Sequence, residues 1–121
     1  MVYKYKRIRG MKMESMEQLK SDFREISDFL IALGDEKRQA IIVALLQDKA
    51  CQGLRVVDLT EATQLSRPAI SHHLKILKQA GLIDMISEGT KNYYFLSHDT
   101  KEIDKLKKLL NDVTTLIKEK S

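Results

Sequence analysis

The sequence predicts a mainly α-helical domain carrying one β-hairpin, and three patterns within its 121 residues predict it. Near each end, apolar residues alternate by threes and fours, the spacing of a stripe along a helix. Between these ends lie shorter helical segments bounded by capping residues. After Gly81, two runs enriched in Ile, Tyr and Phe flank Gly89 and Thr90, as two strands flank a tight turn.

In chain order, the first stripe is Met16, Leu19, Phe23, Ile26, Leu30 and Leu33, one helix that Gly34 ends. Asp35 is a good N-cap for a second helix running to about 47. Ile41, Ile42, Leu45 and Leu46 make that helix apolar over most of its circumference, which marks it as the central core helix. A third helix covers about 56–62, and Ser66 with Pro68 opens a fourth that ends at Gly81. The segments 82–88 and 91–96 form the hairpin, and Gly first in its two-residue loop suits a type II′ turn. A last helix, about 99–119, carries Ile103, Leu106, Leu110, Val113 and Ile117 as a heptad-like seam.

The composition, 43% hydrophobic and 31% charged with a single Pro, fits an ordered helical domain without a linker, so one domain over 13–121 is expected after a basic tail, 1–12. The longest apolar run, 40–46, is far short of the roughly 20 residues that span a bilayer. No secretory signal is recognisable at the N-terminus, and a lone Cys51 forms no internal disulfide; both agree with a cytoplasmic protein. The net charge of +4 hints at nucleic acid, but Lys4, Lys6, Arg7, Arg9 and Lys12 account for all of it and the remainder is close to neutral. The inference must therefore rest on where charges sit rather than on their total.

Helix, tight turn, helix and hairpin in that order make a winged helix-turn-helix, with helix-turn-helix about 56–80 and wing 82–96. In such a unit the second helix enters the major groove of duplex DNA, so its free face matters. At 100° per residue, Ile70, Leu74 and Leu77 fall on one side, while Pro68, His72, Lys75 and Gln79 fall on the other, flanked by Arg67, Ser71 and Lys78. No Asp or Glu occurs between Ser66 and Ile83, so the helix is locally positive. The expected DNA-contacting residues are Ser66, Arg67, Ala69, Ser71, His72 and Lys75, with Lys91 at the hairpin tip reaching a phosphate or the minor groove. The alternative is that the same polar face meets a protein partner.

The segment LTEATQLSRPAISHHLKIL (59–77), followed by KQAGLI and EGTKNYYFL, resembles the ArsR/SmtB family of bacterial winged-helix repressors over about residues 30–97. That resemblance implies a homodimer built on the first and last helices. It implies repression at an operator, an imperfect inverted repeat, until an effector releases the protein. The implied interface residues are Met16, Leu19, Phe23, Ile26, Leu30, Ile103, Leu106, Leu110, Val113 and Ile117. Gln64 stands where the usual helix-turn-helix pattern has a turn Gly, and Thr60 where it has a small Ala, so a slightly different turn is expected.

Many members of the family hold metal through cysteines just before the DNA-binding helices. Here that stretch is GLRVVDL, with Arg55 and Val57 at the two cysteine positions, and neither is a soft-metal ligand. A second family site needs a late histidine, yet none follows His98, and Asp99, Asp104, Asp112 and Glu119 alone suit a solvated helix face. No metal and no cofactor are expected. His72 and His73 lie 100° apart, poor geometry for chelation; His73 is expected to be a buried, hydrogen-bonded structural residue and His72 the outward one. Tyr93 and Tyr94 alternate on a strand, one packing inward and the other near the wing surface. Cys51 is either an inert small residue or a thiol open to modification. The basic tail is either an arm on DNA or dispensable, since Met11, Met13 and Met16 are all plausible starts. No nucleophile with base and orienting group, phosphate-binding Gly loop or paired catalytic carboxylates are present, so no enzyme is expected.

Overall fold

A computed structural model describes residues 15–49 and 52–120. Helix α1 occupies residues 15–25, followed by α2 (Ser27–Leu33), α3 (Glu36–Leu46), α4 (Val56–Thr63), α5 (Arg67–Gln79), strands β1 (Ile83–Glu88) and β2 (Lys91–Leu96), and α6 (Lys101–Glu119). Cys51 and the basic residues of the N-terminal tail lie outside the described residues. The described residues divide into two compact units, one within 28–102 and the other formed by residues 15–27 and 103–120.

In the first of these units the core forms where α3 packs on α4, α5 and β2, and α5 packs on β1. Ile41, Leu59, Ile70 and Leu77 are wholly buried there, each burial stabilising by about 1.5–3 kcal/mol relative to an exposed side chain. Asp35 caps α3 as its sequence position suggests, its carboxylate accepting from the N–H groups of Lys37 and Arg38. Helix α3 is the central packing helix, as expected, but its apolar circumference is not buried all round: Ile41, Ala44 and Leu45 are buried, while Val43 and Leu46 are exposed. Only one side of the helix meets other elements, and a buried Arg38 shares that side.

Helix α5 ends through a paired C-terminal motif. Gly81 N–H donates to the Lys78 carbonyl and Leu82 N–H to the Leu77 carbonyl, both at 3.0 Å, with Gly81 at φ 82. That left-handed residue turns the chain out of α5 into the hairpin, with Leu77 before it and Leu82 after it both buried. Glu88 pairs with Lys91 at the hairpin tip, leaving Gly89 and Thr90 as the loop. A positive φ at Gly89 (62°) and not at Thr90 is the pattern of a type II′ turn. Leu54 exchanges both backbone hydrogen bonds with Tyr94 at 2.8 Å, adding a one-residue bridge to β2. Beside this bridge Tyr93 and Tyr94 are both half-buried, so the expected division into one inward and one surface tyrosine is not found.

In the other unit, Ile26, just after α1, and Leu109 on α6 are buried. Lys108 lies 2.8 Å from Asp112 and 3.9 Å from Asp22, whose other oxygen accepts from Gln18 at 2.8 Å. The single N-terminal helix expected over the first stripe is interrupted at Ile26. Ser27 Oγ donates to the Phe23 carbonyl at 2.8 Å, a local bond that competes with the helix ladder, and Ile26 N–H reaches Asp22 O only at 3.3 Å. The seam expected on the last helix is also two stripes rather than one. Ile103, Leu110 and Ile117 are exposed, whereas Leu106, Val113 and Leu116 are half-buried around Leu109.

Candidate nucleic-acid interface

The polar face of α5 is set by its start and by its apolar side. Ser66 takes an extended conformation, its hydroxyl accepts from Ala69 N–H at 3.3 Å, and its carbonyl receives Ile70 N–H at 2.9 Å. Pro68 sits in the first turn, where its missing N–H costs nothing. Ile70, His73, Leu74 and Leu77 then recur on one side and are buried. The opposite side is left to solvent: Arg67, Ser71, His72, Lys75, Lys78 and Gln79 are all exposed, with Ala69 half-buried at their edge.

The turn ahead of α5 holds this helix against α4. Gln64 is the one non-Gly described residue at positive φ (62°, ψ 17°), and its N–H closes α4 on the Thr60 carbonyl at 2.9 Å. Its side-chain amide donates to the Glu61 carbonyl at 2.8 Å, which offsets part of the left-handed strain. The expectation of an altered turn is therefore corrected. Gln64 takes up the left-handed conformation that a glycine would have taken.

Electrostatically the α5 face combines Arg67, Lys75 and Lys78 with no carboxylate on the helix. Lys78 also lies in the last turn, where it complements the helix dipole. Ser66 spends one lone pair on the cap, which leaves its hydroxyl hydrogen able to donate. On the hairpin, Lys91 is exposed at the tip, but it faces Glu88 directly across the strand pair, which tempers its charge. Ser87 donates to Asn92 at 2.8 Å in the adjacent pair and stiffens the same tip.

Behind the face lies a residue that sequence reading passed over. Arg38 is only 8% exposed. Its Nε donates to Ala32 O at 2.9 Å, Nη2 to Ile31 O at 3.1 Å, and Nη1 reaches Nδ1 of His73 at 3.2 Å. The guanidinium thus satisfies the last carbonyls of α2 and ties them to α5. A signal for it existed: Arg38, Ile41 and Leu45 share the three-and-four spacing of the buried stripe, so a charge there needs internal partners. His73 is buried and hydrogen-bonded, as expected for the inward histidine. Burial, then the nearby Arg38, His72 and Lys37, hold its pKa below the usual histidine value against the opposing pull of Asp35.

The residues expected at a dimer interface are distributed unevenly. Phe23, Ile103, Leu110 and Ile117 are exposed by 40–61%. Met16, Leu19, Leu30, Leu106 and Val113 are half-buried, and Ile26 is 1% exposed, its side chain already covered within the chain. Among the described residues no group of three or more His, Cys, Asp or Glu is placed to hold a metal ion. No helix among them is long and apolar enough to cross a membrane.

Residues 35–85 match the family model described as bacterial regulatory protein, arsR family. An uncharacterized HTH-type transcriptional regulator of Methanocaldococcus jannaschii is 35% identical over 85 residues, covering 69% of this chain and 92% of that protein. The arsenical resistance operon repressor of Bacillus subtilis is 38% identical over 86 residues, covering 69% of this chain and 78% of the repressor. Among solved structures, the transcriptional regulator HlyU of Vibrio vulnificus superposes with a TM-score of 0.58 at 27% identity, covering 82% of this chain and 97% of that one. An ArsR-like regulator from Rhodococcus shares the fold with a TM-score of 0.68 at 24% identity, covering 81% and 84%.

Proposed function

Because the chain belongs to the arsR family of bacterial regulatory proteins and is a DNA-binding transcriptional repressor rather than an enzyme, we propose that it acts as a homodimer that reads an imperfect inverted repeat and leaves it when an effector binds. The observation that carries this reading is the exposed, carboxylate-free face of α5, backed by a fully apolar or hydrogen-bonded buried side. A rigid helix with that division suits the major groove.

In this reading residues 56–80 are the helix-turn-helix, 82–96 the wing and 99–119 the dimerisation helix, within one functional domain over 13–121 that follows a basic tail. Arg67 and His72 reach base edges or phosphates near the start of α5. Ser66, Ser71 and Lys75 fix the register on the backbone, Ala69 gives close approach, and Lys91 touches the phosphates beside the groove. Phe23, Ile103, Leu110 and Ile117 supply the apolar surface that a second copy covers, with Met16, Leu19, Leu30, Leu106 and Val113 at its margin. Two α5 helices then stand about 34–36 Å apart, one helical turn of DNA. Arg55 and Val57 offer no thiolate, so the effector is of a kind other than a soft metal held at that stretch. The protein works in the cytoplasm, where its operator is.

The test is titration of a duplex from the protein's own upstream region by fluorescence anisotropy at several salt concentrations. Affinity should fall linearly on a log–log plot. Arg67→Ala or Lys75→Ala should weaken binding and lower the slope by about 1 for each phosphate left without its cationic partner. Binding indifferent to salt and to both substitutions would overturn the assignment.

A further inference from the structure

His73 and Arg38 meet behind the DNA-facing side of α5 in a contact that tolerates only one protonation state. A guanidinium has donors and no acceptor, so the 3.2 Å contact from Arg38 Nη1 requires a lone pair on His73 Nδ1 and places the ring proton on Nε2. Arg38 cannot turn away, since Nε and Nη2 are held by the carbonyls of Ala32 and Ile31. Both residues are 8% exposed, which leaves little water to screen a second positive charge. A proton on Nδ1 would set donor against donor and cation against cation. Of the groups facing the ring, Asp35 from the α3 cap favours that proton, while Arg38 and Lys37 from α3 and His72 from α5 oppose it.

The consequence falls on the recognition surface. His73 follows His72 in the chain, and its buried stripe holds the turns that carry Arg67, Ser71 and Lys75. We propose that the Arg38–His73 hydrogen bond is a proton-sensitive joint: neutral His73 fixes α5 in the position that binds DNA, and protonated His73 releases the helix from α3 and lowers DNA affinity. The DNA role of the joint rests on the repressor reading above. It also predicts a sign opposite to the ordinary one. Acid ordinarily adds positive charge to a DNA-binding surface and strengthens its attraction to phosphate, whereas the joint makes binding weaken.

The experiment measures binding of the full chain to its upstream duplex at constant ionic strength from pH 8 to pH 5, for the wild type and for His73→Gln, whose side-chain carbonyl accepts from Arg38 but takes no proton. The wild type should weaken as pH falls below the histidine range, approaching about tenfold per pH unit once most His73 is protonated. His73→Gln should hold its affinity or tighten over the same range. In parallel, NMR of the wild-type imidazole and amide exchange should show unprotonated Nδ1 at pH 8, and loss of protection in α5 should follow the titration of His73.

Several results overturn the joint: equal pH profiles for the two proteins, Nδ1 protonated at pH 8, or His73 titrating while α5 stays protected. Absence of DNA binding at pH 8 overturns the repressor reading and with it the joint's effect on affinity. The imidazole and exchange measurements need no DNA and separate that failure from failure of the joint itself.

Discussion

Asp35 acts on Arg38 twice. One carboxylate oxygen accepts from the Arg38 N–H at 3.0 Å, and the other lies 3.9 Å from the guanidinium of the same residue. The cap that starts α3 is therefore also the anion beside the buried arginine, joining a local helix signal to the packing of α2, α3 and α5.

From this pairing, Asp35→Asn and Asp35→Ala should differ. Asn keeps an oxygen for the cap, so at pH 7 its thermal midpoint should fall only slightly, whereas Ala loses cap and charge and should melt several degrees lower. The Arg38 backbone hydrogen bond, against the cost of burial and aided by the Arg38 charge, holds the Asp35 pKa below 3.8. Because the folded value is depressed, the stabilisation is complete above the unfolded value and is lost as pH falls through the folded one. The midpoints of wild type and Asp35→Asn should converge as pH falls through the depressed folded value; a constant gap from pH 7 to pH 2 would contradict this.

The left-handed Gln64 gives a prediction of the opposite sign. Gly accepts φ 62° without a Cβ penalty, so Gln64→Gly should stabilise by about 0.5–1 kcal/mol despite losing the side-chain bond to Glu61. Gln64→Val should cost about 1 kcal/mol, because a β-branched residue is least suited to that region. Urea denaturation reads both, and equal midpoints for Gly and Val would show that the turn carries no strain.

Much of this was legible from the sequence because it is local. Asp35, Ser66, Pro68 and Gly81 announce helix ends through their own backbone chemistry, and the structure places caps and stops at those residues. The outward side of α5 followed from helix periodicity in the same way. Most of what escaped depends on partners far along the chain. Arg38 looks like an ordinary charged helix residue until His73, 35 positions away, meets it. Leu109 and Leu110 fit the α6 spacing equally well, and only packing decides that Leu109 is buried and Leu110 exposed. The break at Ile26 was hidden because the apolar stripe runs through it unchanged, while Ser27 draws off the Phe23 carbonyl.

The core beneath α5 should be sensitive to truncation. Leu59 on α4 and Ile70 on α5 are both wholly buried. Leu59→Ala should therefore destabilise by about 2–5 kcal/mol, and Ile70→Val by about 0.5–1.5 kcal/mol. Calorimetry would check the pair, and a change for Leu59→Ala below that for Ile70→Val would mean the helix-turn-helix is not packed as described.

The exposed stripe on α6 permits a test of dimerisation that is separable from folding. Ile103, Leu110 and Ile117 recur every seventh residue and remain 40–61% exposed, so a charge at Leu110 meets water in a single chain and meets apolar surface only if a second chain covers it. Under the proposed homodimer, Leu110→Glu should keep its far-UV circular dichroism yet sediment as a monomer at concentrations where the wild type sediments as a dimer. Without the second half-site, operator affinity should then fall by about a hundredfold or more. Leu109→Glu is the contrasting variant: at 2% exposure it should unfold rather than dissociate, since its charge would be buried without a partner. If Leu110→Glu remains a dimer with unchanged DNA affinity, the subunits meet through some other surface.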